Sequence, residues 1–208
     1  METQWIMTAP DTDLPMRKNC PEAVLLDGQE EALDSNFSGN TVEYIASCSS
    51  MIELSGKAMK RRRSLIRQFE AAQPWSFTEI TPRNIDEAFL VERLWQRDEA
   101  GGEAAFARRC FRSYSQLRLI GGLLRSGDTA VGYSISAPCG SYGALILVLR
   151  AKPTPAGVSA MLYRQTALLL QRRLPALRAI NLGSGGGTVE LQNRLAYRPR
   201  IITTGQHL

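Results

Sequence analysis

From about residue 75 onward, apolar and polar positions sort into short alternating runs and longer runs of helical spacing. Residues 75–81 alternate as a half-buried strand does. Residues 84–99 place Ile85, Phe89 and Leu94 or Trp95 at helical spacing, with Pro82 just ahead of the start. Gly101-Gly102 interrupts that pattern, and a second helix is predicted over 103–114. Three strands are predicted next, over 117–125, 129–136 and 142–150, joined by Ser126-Gly127-Asp128 and Pro138-Cys139-Gly140. A third helix over 157–173 is stopped by Pro175, and its Met161, Leu162, Leu168 and Leu169 read as core. A strand over 178–182, a glycine-rich turn (Gly183-Ser184-Gly185-Gly186-Gly187), a helix over 188–197 and a short final strand follow. A β-meander followed by strand, helix, strand, helix and strand is the order of an acyltransferase-type α/β domain.

Upstream the pattern is weaker. Residues 57–69 form a basic helix in which Met59, Ile66 and Phe69 share one face while Lys60, Arg63 and Arg67 share another. Tyr44, Ile45 and the Met51-Ile52 pair suggest one short packed element over 41–53. Residues 1–40, with Pro10, Pro15, Pro21, Gly28 and Gly39 among acids and small polar residues, read as a poorly ordered or docked arm. The expected organisation is thus an arm over 1–40, a remnant element with the basic helix over 41–73, and an α/β domain over 74–208.

Composition narrows the chemistry. With 208 residues the chain holds enough apolar material for one real core. It shows neither a membrane-length apolar run nor a basic-then-apolar leader, and a soluble, cytoplasmic protein is expected. Cys20, Cys48, Cys110 and Cys139 have no C-x-x-C spacing, so neither a disulfide framework nor a zinc site is expected. His207, one residue from the end, is the single histidine, which argues against a histidine triad or a histidine metal site. Charge is split: residues 1–56 hold ten acids against two bases, whereas the remainder holds ten acids against twenty-three bases. Such an excess suits an anionic partner such as RNA.

Three stretches, Leu54-Ser55-Gly56-Lys57 running into Lys60-Arg61-Arg62-Arg63 and Phe69, Leu117 through Leu124, and Ile180-Asn181 with Leu191 through Pro199, resemble the phosphatidylglycerol lysyltransferase C-terminal domain family, a branch of the N-acetyltransferase (GNAT-like) superfamily. The resemblance covers about residues 41–205. It implies a single GNAT-like acyltransferase fold, a mixed central sheet flanked by helices, preceded by the basic helix and the N-terminal extension. Full-length relatives look like two such domains in tandem, so this chain resembles a form shortened to one. The activity implied is aminoacyl transfer from aminoacyl-tRNA to an amine or hydroxyl on a small-molecule or peptide acceptor, with no further cofactor and no metal. An acyl-CoA-dependent N-acyltransferase is the alternative, and a non-catalytic RNA- or protein-binding module the third.

The same resemblance assigns residues. Lys57, Lys60, Arg61, Arg62, Arg63 and Arg67 would hold the tRNA phosphates. Arg150, Lys152, Gly157 and Ser159 stand where the superfamily binds the pyrophosphate of acetyl-CoA or another acyl-CoA, but of that loop only Gly157 fits, and Pro153 and Pro155 lack N–H donors. Asn181, Gly183 and Gly185 would flank the acceptor channel; Gly183-x-Gly185-x-Gly187 lacks the further strands that a nucleotide fold needs. With histidine chemistry set aside, Glu103 and Tyr197 are the candidates for proton transfer.

Overall fold

The computed structural model describes residues 40–95, 102–183 and 188–205. The expected arm, His207 and Gly185 therefore lie outside the described residues, apart from Asn40 at the arm's end. The described chain runs β1 (Asn40–Ser47), α1 (Cys48–Glu53), a 3-10 turn (Lys57–Met59), α2 (Lys60–Ala72), β2 (Trp75–Glu79), α3 (Ile85–Trp95) and α4 (Gly102–Arg112). It continues through β3 (Ile120–Ser126), β4 (Thr129–Cys139), β5 (Gly143–Ala151), α5 (Val158–Arg173), β6 (Ala179–Asn181), α6 (Thr188–Leu195) and β7 (Arg200–Gly205). Each element predicted beyond residue 74 is present within a few residues of its expected bounds. Among the described residues no helix is long and apolar enough to cross a membrane.

All strands belong to one mixed seven-stranded sheet of order β2-β3-β4-β5-β6-β1-β7. β2 to β5 form an antiparallel meander, β5 and β6 run parallel, and β1 lies antiparallel to both β6 and β7. The sheet therefore crosses the expected division at residue 73. What the sequence suggested as a remnant over 41–53 is an interior strand, β1, followed by α1, with Ile45 opposite Asn181 on one side and Arg200 on the other. The correction has a plain cause: β1 carries Glu43 between Val42 and Tyr44 and in phase with Ile45, which hides its alternation.

One sheet face is covered by α1, α2 and α5. Met51, Phe69, Met161, Leu162 and Leu170 are fully buried there with Leu124, Ala144 and Ile180 from the strands. The opposite face carries α3 and α4, whose Ala88, Val91, Ala107 and Cys110 pack on Leu123, Tyr133 and Ile135. Helix α5 is apolar nearly all round because it lies between the sheet and the α1 and α2 layer. Helix α2 buries Ile66 and Phe69 as their spacing predicts, and Arg62 one turn earlier is buried on that same stripe.

Candidate functional site

Two features set β5 apart in the sheet. Its register with β4 shifts between Ile135 and Ser136, so that Leu147 is an extra residue between Ile146 and Val148. As a result Leu147 and Val148 both pack on the α3 and α4 face. The parallel pairing of β5 with β6, moreover, ends at Leu145 opposite Asn181. Beyond that point β5 runs on through residues 146–151, and among the described residues no strand pairs with it on that side; this edge is called the seam below.

Asn181 and Gly183, both expected at an acceptor channel, stand at the head of this seam. Asn181 donates from Nδ2 to Glu43 Oε2 at 3.1 Å, and its Oδ1 accepts the Gly183 N–H at 2.9 Å. Gly183 has φ +81, and a Cβ there would lie 3.3 Å from the Ile146 carbonyl oxygen, so both conformation and space select glycine. Leu182 between them bonds to β1 through its N–H to Tyr44 O at 2.8 Å, and its own carbonyl accepts Arg194 Nε at 3.0 Å. The turn is thus held by β1, by α6 and by its own side chain. Glu43, buried beside Asn181, is a functional candidate that the sequence reading missed.

Further along the face shared with α3 lies a second polar group. Glu92 of α3 is 1% exposed; Tyr133 donates its hydroxyl to Glu92 Oε2 at 2.5 Å, and Arg150 Nε lies 3.4 Å from the same oxygen. Burial first, then the neighbouring Glu92 carboxylate, pushes the Tyr133 phenol far above its usual range, so it stays a proton donor. Glu92 also escaped the sequence reading, although it continues the Ile85 and Phe89 stripe of its helix at helical spacing.

The residues expected to grip an acyl-CoA each have contacts within the fold. Arg150 is committed to Glu92. Lys152 bonds through its N–H to Val131 O at 2.8 Å and has a half-buried side chain. Gly157 caps α5 with φ +91, and a Cβ on it would stand 2.1 Å from the Leu65 carbonyl oxygen of α2. Its glycine serves helix packing, and a carbonyl oxygen at this helix start is the opposite of an anion-binding neighbour. Ser159, in the first turn of α5, is half buried.

The basic helix divides. Lys57, Lys60, Arg61 and Arg67 are exposed, but Arg62 and Arg63, expected to reach solvent, turn inward. Arg62 is 6% exposed: its Nη1 meets Asn193 Oδ1 at 3.1 Å, its Nη2 meets Asn193 O at 2.9 Å, and it stacks 5.0 Å from the Tyr197 ring centroid. Arg63 Nη1 donates to the carbonyls of Leu54 and Gly56, closing the end of α1, where Leu54 sits at φ 52. The Arg62 correction follows from helix geometry, since position 62 shares the stripe of 59, 66 and 69 and an arginine there must find partners; Arg63 is drawn in by the carbonyls at the end of α1.

Of the two proton-transfer candidates, Glu103 lies on the first turn of α4, and its side chain is outside the described residues. Tyr197 lies in the turn after α6, not within the helix, and is buried between Arg62 and Tyr163, whose ring centroid is 5.1 Å away. Burial pushes its phenol far above the usual range, with Arg62 opposing the shift, and its hydroxyl has no hydrogen-bond partner among the described residues. These are the surroundings of a packing residue. Among the described residues no cluster of three or more His, Cys, Asp or Glu could hold a metal ion.

The fold has solved relatives. A conserved protein of unknown function from Bacteroides thetaiotaomicron matches with TM-score 0.70 and 25% identity, over 78% of this chain and 57% of the other. A C-terminal domain assigned to lysylphosphatidylglycerol synthetase from Agrobacterium fabrum matches with TM-score 0.55 and 14% identity, over 79% and 60%. L-PGS from Bacillus licheniformis matches with TM-score 0.54 and 15% identity, over 79% and 60%. This chain therefore spans less than two thirds of the length of each. No curated protein matches it significantly in sequence. The seven-stranded mixed sheet with flanking helices is a GNAT-like acyltransferase fold. The family model for the C-terminal region of phosphatidylglycerol lysyltransferase matches residues 17–186, and the chain belongs to that family.

Proposed function

We propose that this protein is an aminoacyltransferase that moves an aminoacyl group from aminoacyl-tRNA to an amine or hydroxyl acceptor. The observation that supports the reading is the seam: the pairing of β5 with β6 ends at Leu145, beside a turn in which Asn181 accepts the Gly183 N–H. Membership of a lysyltransferase family favours an aminoacyl donor, and the exposed Lys57, Lys60, Arg61 and Arg67 offer cations for RNA phosphates. The cytoplasm, where charged tRNA is made, is then the compartment of action.

In this reading the acceptor amine or hydroxyl attacks the ester carbonyl of the aminoacyl-tRNA. Backbone N–H groups of β5 within residues 146–150 stabilise the oxyanion of the tetrahedral intermediate, fixed dipoles that need no reorganisation. The ester C–O bond breaks as the new C–N or C–O bond completes. The acceptor's proton ends on the ribose oxygen of the departing tRNA. Glu43, which the contacts bring to the seam through Asn181, is our candidate carrier for that proton. An acyl-CoA donor is the second reading; the Leu65 carbonyl of α2 packed on Gly157, at the start of α5, does not favour an anion there.

The deciding experiment incubates the full chain with bulk tRNA charged with radiolabelled amino acids, together with amine, peptide and lipid acceptors. Label passing from tRNA to an acceptor supports the reading. No tRNA binding together with tight acetyl-CoA binding would replace it with the acyl-CoA alternative.

A further inference from the structure

Helix α6 is eight residues long and has no buried residue of its own. A segment that short is not stable alone, so its position depends on whatever grips it. Two arginines do so from opposite ends of the local structure. Arg62 reaches from α2 and binds Asn193 through both terminal nitrogens. Arg194 of α6 in turn binds the Leu182 carbonyl, one residue past Asn181, at 3.0 Å. The path from the cationic face of α2 to the head of the seam thus passes through one weakly anchored helix.

We propose that Arg62 is a positioning residue that couples RNA binding on α2 to the geometry of the seam. Phosphates bound along Lys57, Lys60, Arg61 and Arg67 order α2; the Arg62 fork, on the other side of the same helix, then holds α6 in its docked place. Docked α6 fixes the Leu182 carbonyl through Arg194, and with it the turn that Asn181 closes. The inference rests on the RNA reading above. Because such coupling is reciprocal, occupation of the seam should also tighten RNA binding.

Hydrogen–deuterium exchange on the full chain tests this, read at the amides of residues 188–197 with and without deacylated bulk tRNA. In the unmodified protein tRNA should slow exchange there about tenfold, within the usual range of coupling between sites. In Arg62→Gln and Arg62→Lys the slowing should fall below about twofold while the tRNA dissociation constant changes less than about threefold. Lysine keeps the charge, so an equal loss in both variants assigns the effect to the fork. Should neither arginine variant fold, Asn193→Ala removes the Oδ1 acceptor from the α6 side while the Arg62 bond to the Asn193 carbonyl remains, and a partial loss of the slowing is expected; an unchanged slowing overturns the proposal. A merely structural Arg62 would speed exchange equally with and without tRNA and leave the ratio intact, which overturns the proposal. If tRNA binds the unmodified protein without slowing α6, coupling fails and the RNA reading stands. If tRNA does not bind at all, both fail.

Discussion

Gly157 and Leu65 meet backbone to backbone: a Cβ on Gly157 would lie 2.1 Å from the Leu65 carbonyl oxygen. The start of α5 thereby packs directly on the backbone of α2.

Gly157→Ala should therefore destabilise the fold by more than its backbone conformation alone dictates. Gly140 offers the control, since it also has positive φ but nothing within 4 Å of an added Cβ. Gly140→Ala should cost about 1 kcal/mol, and Gly157→Ala roughly 2 kcal/mol more, from overpacking against immovable backbone. Urea unfolding of both variants measures the difference; equal costs would mean that α2 yields freely at Leu65.

Acetyl-CoA should bind weakly for the same reason. Isothermal calorimetry should find no dissociation constant near the micromolar range, about −8 kcal/mol. Micromolar binding would promote the acyl-CoA alternative over the tRNA donor.

Reversing charge at Lys60, Arg61 and Arg67 together should weaken tRNA binding and flatten its dependence on salt while leaving the fold intact, as all three side chains are exposed. Each lost phosphate contact should reduce the slope of log affinity against log salt by about 0.7–0.9. Filter binding across a salt series reads the slope; an unchanged slope would assign these cations to solvent alone. Arg62 is left out of this set because its reversal would bury an acid against Asn193.

Cys48 gives a pH dependence. Burial pushes its thiol up to about 11 from an ordinary 9.0. Between those values the folded state holds a proton that the unfolded state has released, so this contribution to stability is full below pH 9 and is lost as pH rises toward 11. The loss is on the order of 2 kcal/mol. Cys48→Ala should remove that part of the decline in a pH series of urea midpoints, and parallel declines in both proteins would contradict the assignment.

The meander and α5 were legible in sequence because their apolar positions keep one period over a full element. β1 was not: Glu43 sits inside it as a buried acid held by Asn181, so the strand looks half polar until its partner is known. Arg62 and Glu92 mislead in the same way. Each occupies an apolar stripe of its helix, and the groups that satisfy them, Asn193 for one and Tyr133 with Arg150 for the other, come from elements distant in sequence. Helical spacing announces that a charge is turned inward, but it does not name the partner. The packing of α2 on Gly157 was not legible either, because it depends on a contact between distant segments.

The position of β1 sets an order of events during synthesis. Its neighbours in the sheet are β6 and β7, so Ile45 waits for Asn181 and then Arg200 to be made before its backbone hydrogen bonds can close on both sides. Until then the growing chain carries an early strand with two unpaired edges, the kind of surface that recruits chaperones or pairs wrongly. Ribosome-bound chains arrested before residue 179 should accordingly be protease-sensitive at β1 even where the β2 to β5 meander already resists.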